Sequence, residues 1–374
     1  MISIAFFNNK GGVGKTSLVY HTAWMFAELG YRVLVVDLDP QSNLSIMALD
    51  EERLEALWPD DDHPETLHGA VAPLFGGTGD IGRAHIESLN DDLGLLVGDL
   101  ALSRIEDDLS TEWPRCLEGR ERAFRVTTAF WRVIREAAGR HQADLTLIDV
   151  GPNLGAINRT ALVASSHVVV PVAPDLFSLQ GLRNLGPTLR QWRVTWSQAF
   201  PKAATALGEM PQGQMAPVGY VLMQHAERLG RPTKAYGKWQ ARLPVAYRES
   251  VLGQTASLGA ATDPNQIHRI KHYRSLMPMA MEARKPMFAL SSADGAIGAH
   301  QANVQQCYQD FEALAKEIAR RAGIVVQPDR VHDEASESLS GKQENIWTAN
   351  SIVTVDDLDV DVEQQRKISQ QGGF

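Results

Sequence analysis

The chain has 374 residues, 44% apolar and 22% charged, which is an ordinary globular balance with enough length for a large core. Only Cys116 and Cys307 are present and they share no ligand-like spacing, so a disulfide framework and a cysteine metal site are both excluded as expectations. The net charge of −9 argues against a nucleic-acid partner until its distribution is read: residues 227–285 carry eleven Lys and Arg against four acids, a net +7, while acids gather at 50–62 and after Val326.

In chain order, the apolar run Ile2–Phe7 is a strand, and it delivers Lys10-Gly11-Gly12-Val13-Gly14-Lys15-Thr16 directly. Small residues there let backbone N–H groups close around phosphate oxygens, and a helix over Lys15–Leu29 points its positive end at the same anion. Lys15 is placed to reach the β- and γ-phosphates and the Thr16 hydroxyl to ligand Mg²⁺, with Gly11, Gly12, Val13, Gly14 and Ser17 completing the cradle. Asn9 stands where the usual pattern has its first glycine, so the loop is a deviant one. A second strand, Val33–Asp37, runs into Leu38-Asp39-Pro40-Gln41.

Residues 50–93 are a polar, Gly- and Asp-rich insertion expected to lie outside the sheet as loops and short helices. Strands follow at Gly94–Val97, Leu145–Asp149, His167–Val172 and Val218–Met223, with a last short one near Tyr273–Leu276. Helices are expected over Arg122–Ala138, Leu179–Trp196 and Ala296–Arg321. Continuous apolar strands alternating with amphipathic helices give an α/β fold, a doubly wound and mostly parallel sheet with helices on both faces and its chemistry at the carboxyl ends of the strands. Asp149, an acid ending an apolar strand, is the generic Mg²⁺-holding arrangement. Residues 1–326 are expected to form one phosphate-loop domain, and 327–374 an acidic tail, poor in large apolar residues, that is disordered or docks.

The stretch from Lys10 to Thr16, with its extra lysine at the start of the loop, resembles the deviant Walker A box of the ParA/MinD family of P-loop ATPases. Asp37-Leu38-Asp39-Pro40-Gln41 is similar to the family's switch I box, Asp149–Gly155 to its Walker B and switch II, and Val168–Asp175 to its strand-turn with two prolines, taken as scaffold. The resemblance implies ATP with Mg²⁺ as ligands. It gives Lys10 a role in trans, at the nucleotide of a partner subunit, gives Asp39 the orientation of the attacking water, and gives Thr16, Asp39 and Asp149 as metal-site residues. It also places Gln224 and Pro278 at adenine.

Within the family, the acids of Asp356–Glu363 disfavour a membrane-inserting basic helix, the cysteine positions do not suit a shared iron–sulfur cluster, and the tail has no tyrosine cluster. The DNA-partitioning ParA branch remains. It implies a homodimer with ATP, non-specific DNA bound through basic residues such as Arg269, Lys271 and Arg274, and a partner protein of ParB type that stimulates hydrolysis. No run of about 18 apolar residues offers a membrane span and Met1 leads into a strand without a charged leader, so a cytoplasmic, nucleoid-associated protein is expected. The alternative is a nucleotide-controlled dimeric switch or scaffold for which hydrolysis is secondary.

Overall fold

The computed structural model describes residues 2–60, 62–203, 208–223, 234–255 and 263–325. The acidic tail and Gln224 therefore lie outside the described residues. Eight strands are found among those described: β1 (Ile2–Phe6), β2 (Val33–Asp37), β3 (Glu87–Ser88), β4 (Leu93–Leu96), β5 (Leu145–Asp149), β6 (His167–Val172), β7 (Ala216–Met223) and β8 (Gln266–Ile270). They form one sheet in the order β3-β4-β2-β5-β1-β6-β7-β8, with every pair parallel except β3–β4.

Before β5 come helices α1 (Lys15–Glu28), α2 (Asn43–Ala48), α3 (Glu51–Leu57), α4 (Leu67–Phe75), α5 (Glu106–Arg115), α6 (Glu121–Thr127) and α7 (Ala129–His141). After it come α8 (Ala156–Val163), α9 (Leu176–Ala203), α10 (Lys234–Gln240), α11 (Leu243–Ala246), α12 (Leu276–Ala283) and α13 (Ala299–Ala322). Side chains alternate along the strands, so each strand feeds two cores. Ala5, Leu34, Val36, Val168 and Val170 meet Phe130, Ile134 and Trp192 of α7 and α9 on one face. Ile4, Phe6, Val33, Val35 and Val169 meet Leu18, Phe26, Phe311 and Leu314 of α1 and α13 on the other. Burial on both faces is what the unbroken apolar runs demanded.

Three expectations are corrected. The last strand is Gln266–Ile270, not Tyr273–Leu276. It is an edge strand burying only Ile267 and Ile270, so its sequence has no apolar run to find, whereas Tyr273 and Leu276 are buried as anchors of the turn and of α12. The insertion 50–93 does not stay wholly outside the sheet. Glu87–Ser88 pairs antiparallel with the open edge of β4, and Arg53 holds the segment through Glu87 at 2.8 Å and Glu65 at 2.9 Å. The expected helix Arg122–Ala138 is two helices that meet at Thr128, where the Arg125 carbonyl accepts from the Arg132 side chain at 3.0 Å.

Candidate nucleotide site

The carboxyl ends of β1, β2 and β5 meet in one place. Asn8, buried just past β1, donates through Nδ2 to Pro171 O of β6 at 2.6 Å and accepts from Lys10 N at 3.1 Å, so the loop begins in fixed register with the sheet. Gly12 and Gly14 take φ of 72° and 81°, a left-handed backbone that a side chain strains, and Gly14 opens α1. The loop and its surroundings wall a cavity of about 360 Å³, lined by Lys10–Ser17, Asp39, Gln41, Asn43, Ile46, Met47, Pro152 and Met281.

Lys15 is buried and folded back onto β5, donating from Nζ to Asp149 Oδ1 at 3.0 Å and to Val150 O. Burial raises the Asp149 carboxyl, opposed by Lys15 and by the Thr16 hydroxyl beside it. Asp37 is the Cα partner of Asp149 across β2 and β5. Burial first and then the Asp149 charge push its carboxyl up to about 7, although Ser45 donates to its Oδ2 from both N (2.9 Å) and Oγ (2.8 Å). Asp39 is nearly buried, and its Oδ1 accepts from Gln41 N at 3.0 Å.

Three carboxylates around one lysine leave the site short of positive charge. Asp37 Oδ1, Asp149 Oδ2 and Ser42 Oγ are buried and reach no well-formed hydrogen bond among the described residues. Orphaned hard oxygens are the donor type that Mg²⁺ takes, although among the described residues no three acidic, histidine or cysteine side chains converge closely enough to hold a metal ion by themselves, so phosphate oxygens, hydroxyls and water would complete its shell.

Two outer contacts frame the cleft. The Glu106 carboxylate accepts from Ala156 N and from Ile157 N (2.9 Å), fixing the helix that follows the Asp149–Gly155 loop. The Arg284 guanidinium donates to Ile46 O at 3.2 Å and to Leu49 O, tying α12 to the end of α2 across the cleft.

The structure thus gathers Lys10, Gly11–Ser17 and Asp39 around the cavity, with Asp149 bonded to Lys15 beneath it. Pro278 does not line it; Met281, one turn further along α12, does. Arg269, Lys271 and Arg274 are exposed on β8 and the turn after it. Sequence reasoning passed over Asp37, Glu106 and Asp175. Asp37 and Asp175 stood inside stretches already singled out, but which acid meets which lysine is a matter of chain crossing, not spacing.

Residues 1–200 match the AAA_31 family, described as an AAA domain. Protein IncC of Escherichia coli is 30% identical over 250 residues, covering 67% of this chain and 60% of that protein. The chromosome-partitioning ATPase Soj of Thermus thermophilus is 33% identical over 197 residues, covering 51% of this chain and 62% of that one. The chain therefore spans about three fifths of the length of these two curated relatives. Protein DIP2308 of Corynebacterium diphtheriae shares the fold, with a TM-score of 0.64 at 24% identity over 86% of this chain and 98% of that chain. A family match over more than half of the chain, on a parallel sheet whose central strand opens into a two-lysine phosphate loop, makes this chain a member of the ParA/MinD family of P-loop ATPases.

Proposed function

We propose that the protein is an ATPase of ParA type that dimerises on ATP, binds DNA without regard to sequence, and positions DNA or another cargo with a partner protein that stimulates turnover. The observation that carries this reading is the charge-deficient cluster of Asp37, Asp39 and Asp149 beneath a loop whose lysine is free to exchange one anion for another. On arrival of the triphosphate, Lys15 leaves Asp149 for the β- and γ-phosphates; Asp149, Asp39 and Thr16 would then hold Mg²⁺, which would supply neutralisation of the developing phosphate charge. Asp39, in the wall of the cavity, orients the attacking water. Lys10 serves the phosphates of the partner subunit. The exposed apolar side chains Leu100, Leu176 and Phe177, which follow β4 and β6 at their carboxyl ends, support a self-association surface on the side where the loop opens.

No helix among the described residues is long and apolar enough to cross a membrane. The +7 segment at 227–285 supports a nucleic-acid partner. The test is ATP turnover and duplex binding with ATP, with ADP and without nucleotide, together with sedimentation of Lys10→Ala on a non-hydrolysable ATP analogue. Binding of unrelated duplexes only with ATP, and loss of ATP-dependent dimers in Lys10→Ala, is the expected result. Duplex binding that ignores nucleotide would favour the scaffold-switch reading instead.

A further inference from the structure

Lys10 is already occupied within its own chain. Its Nζ forms an ion pair with Asp175 Oδ2, just beyond β6 and immediately before α9. The second oxygen of Asp175 accepts from Ser178 N at 2.8 Å and caps the first turn of α9. The two side chains are 26% and 34% exposed, so the pair is reachable from solvent rather than sealed in the core. Burial alone would raise the Asp175 carboxyl, but the hydrogen bonds from Lys10 and from the Ser178 backbone outweigh it and hold it below the usual range. The carboxylate is therefore a standing anion at neutral pH.

The geometry around the pair leaves Lys10 few alternatives. Its backbone N–H is tied to Asn8, and Asn8 is tied to Pro171 of β6, so the start of the phosphate loop and the end of β6 share one register. Gly181 of α9 packs so closely that a Cβ there would stand 2.7 Å from Asn9 Oδ1, which brings the first turns of α9 against the loop. Leu176 at 45% and Phe177 at 71% exposure flank the pair with apolar surface.

We propose that Asp175 is a positioning residue that parks Lys10 in the nucleotide-free chain and releases it only to a more highly charged anion. This rests on the reading that Lys10 serves a phosphate across a subunit interface. An ammonium carries one charge, and while a carboxylate neutralises it, it offers little to a second anion. The terminal phosphates of ATP, carrying more charge than one carboxylate, displace Asp175; ADP, lacking the γ-phosphate, competes less well. The pair is thus a threshold, favouring the parked form until a partner's triphosphate is presented, and Asp175 re-takes the lysine after release.

The test uses the full chain and Asp175→Asn, which removes the charge while keeping an oxygen to cap α9. Two readouts are needed. The first is the rate at which Lys10 is acetylated by an amine-reactive ester in the absence of nucleotide, followed by peptide mass spectrometry, with the other lysines as internal controls. The second is self-association on Mg²⁺ and a non-hydrolysable ATP analogue, by sedimentation, in the wild-type and Lys10→Ala backgrounds.

A partly exposed pair is a weak restraint, so the expected changes are about three- to fivefold: faster labelling of Lys10, and tighter association in Asp175→Asn with no such gain when Lys10 is already Ala. Unchanged labelling overturns the pairing. Faster labelling with unchanged association, or the same gain without Lys10, overturns the parking role. If wild type fails to associate, a gain on Asp175→Asn still supports the parked lysine, whereas failure of both variants overturns it together with the dimer reading.

Discussion

Asp37 and Asp149 stand opposite one another at the ends of neighbouring parallel strands, both fully buried, and of the two carboxylates Lys15 bonds only Asp149. Two carboxyls at that separation from water and from each other oppose joint ionisation, which is why the Asp37 carboxyl lies near 7. The repulsion between these two carboxyls favours cations at the site.

Asp37→Asn is expected to raise the melting temperature of the nucleotide-free protein by a few degrees at pH 8. The sign follows from linkage: the native carboxyl titrates near 7, above its unfolded value, so the native state keeps a proton that the unfolded chain has lost, and stability falls as pH rises towards 7. The gain from Asn is therefore fully present above about pH 7 and fades as pH falls towards the unfolded value of 3.8. Differential scanning calorimetry across that range checks it, and a gain independent of pH would contradict the cause assigned.

Asp39→Ala is expected to keep ATP affinity within about threefold, with Asp149 and Thr16 still there to hold Mg²⁺, while turnover falls on the order of a hundredfold, because a water-orienting carboxylate acts in the transition state and little in the ground state. Lys15→Ala, by contrast, removes a phosphate contact and a buried counter-charge to Asp149, and should lose binding itself. Nucleotide titration beside steady-state turnover separates the two; equal losses of affinity would displace Asp39 from its role.

His21 joins α1 to α13, its ring stacked on Phe311 at 5.1 Å between centroids and its Nδ1 donating to Ser17 O at 2.7 Å. Burial lowers its pKa from 6.5 to about 4. Between those values the unfolded chain takes up a proton that the native state refuses, so stability is intact above about 6.5 and is lost on acidification, on the order of 3 kcal/mol by pH 4. His21→Phe should flatten this limb of the pH–stability curve, measured by denaturant unfolding between pH 4 and 7; an unchanged limb would place the acid sensitivity elsewhere.

Replacing Arg269, Lys271 and Arg274 together by Glu should abolish DNA binding while sparing ATP affinity, since the three lie exposed on β8 and its following turn and not in the nucleotide cavity. In the wild-type protein each phosphate neutralised contributes a slope of about −0.9 in log K against log salt, so a dimer touching about six phosphates loses roughly a thousandfold between about 50 and 200 mM salt. Mobility shifts on unrelated duplexes measure both, and a salt-insensitive complex would count against phosphate neutralisation.

The central part of the molecule was readable from the chain alone. A strand that will be covered on both faces must be apolar throughout, so β1, β2, β5 and β6 announce themselves, and the phosphate loop, its chemistry local, begins within a few residues of the end of β1. Elements stabilised by partners rather than by their own residues were not readable. β8 buries two side chains and β3 is two residues long, and both exist because a neighbouring strand offers an open edge. The same distinction holds at the site. Local sequence singled out Lys10, Lys15, Asp39 and Asp149 as candidates, but the pairing of Lys10 with Asp175 and of Asp37 with Asp149 joins residues more than a hundred positions apart. Only the order in which parallel strands cross decides which charges meet, and that order is set by packing helices on both faces of the sheet.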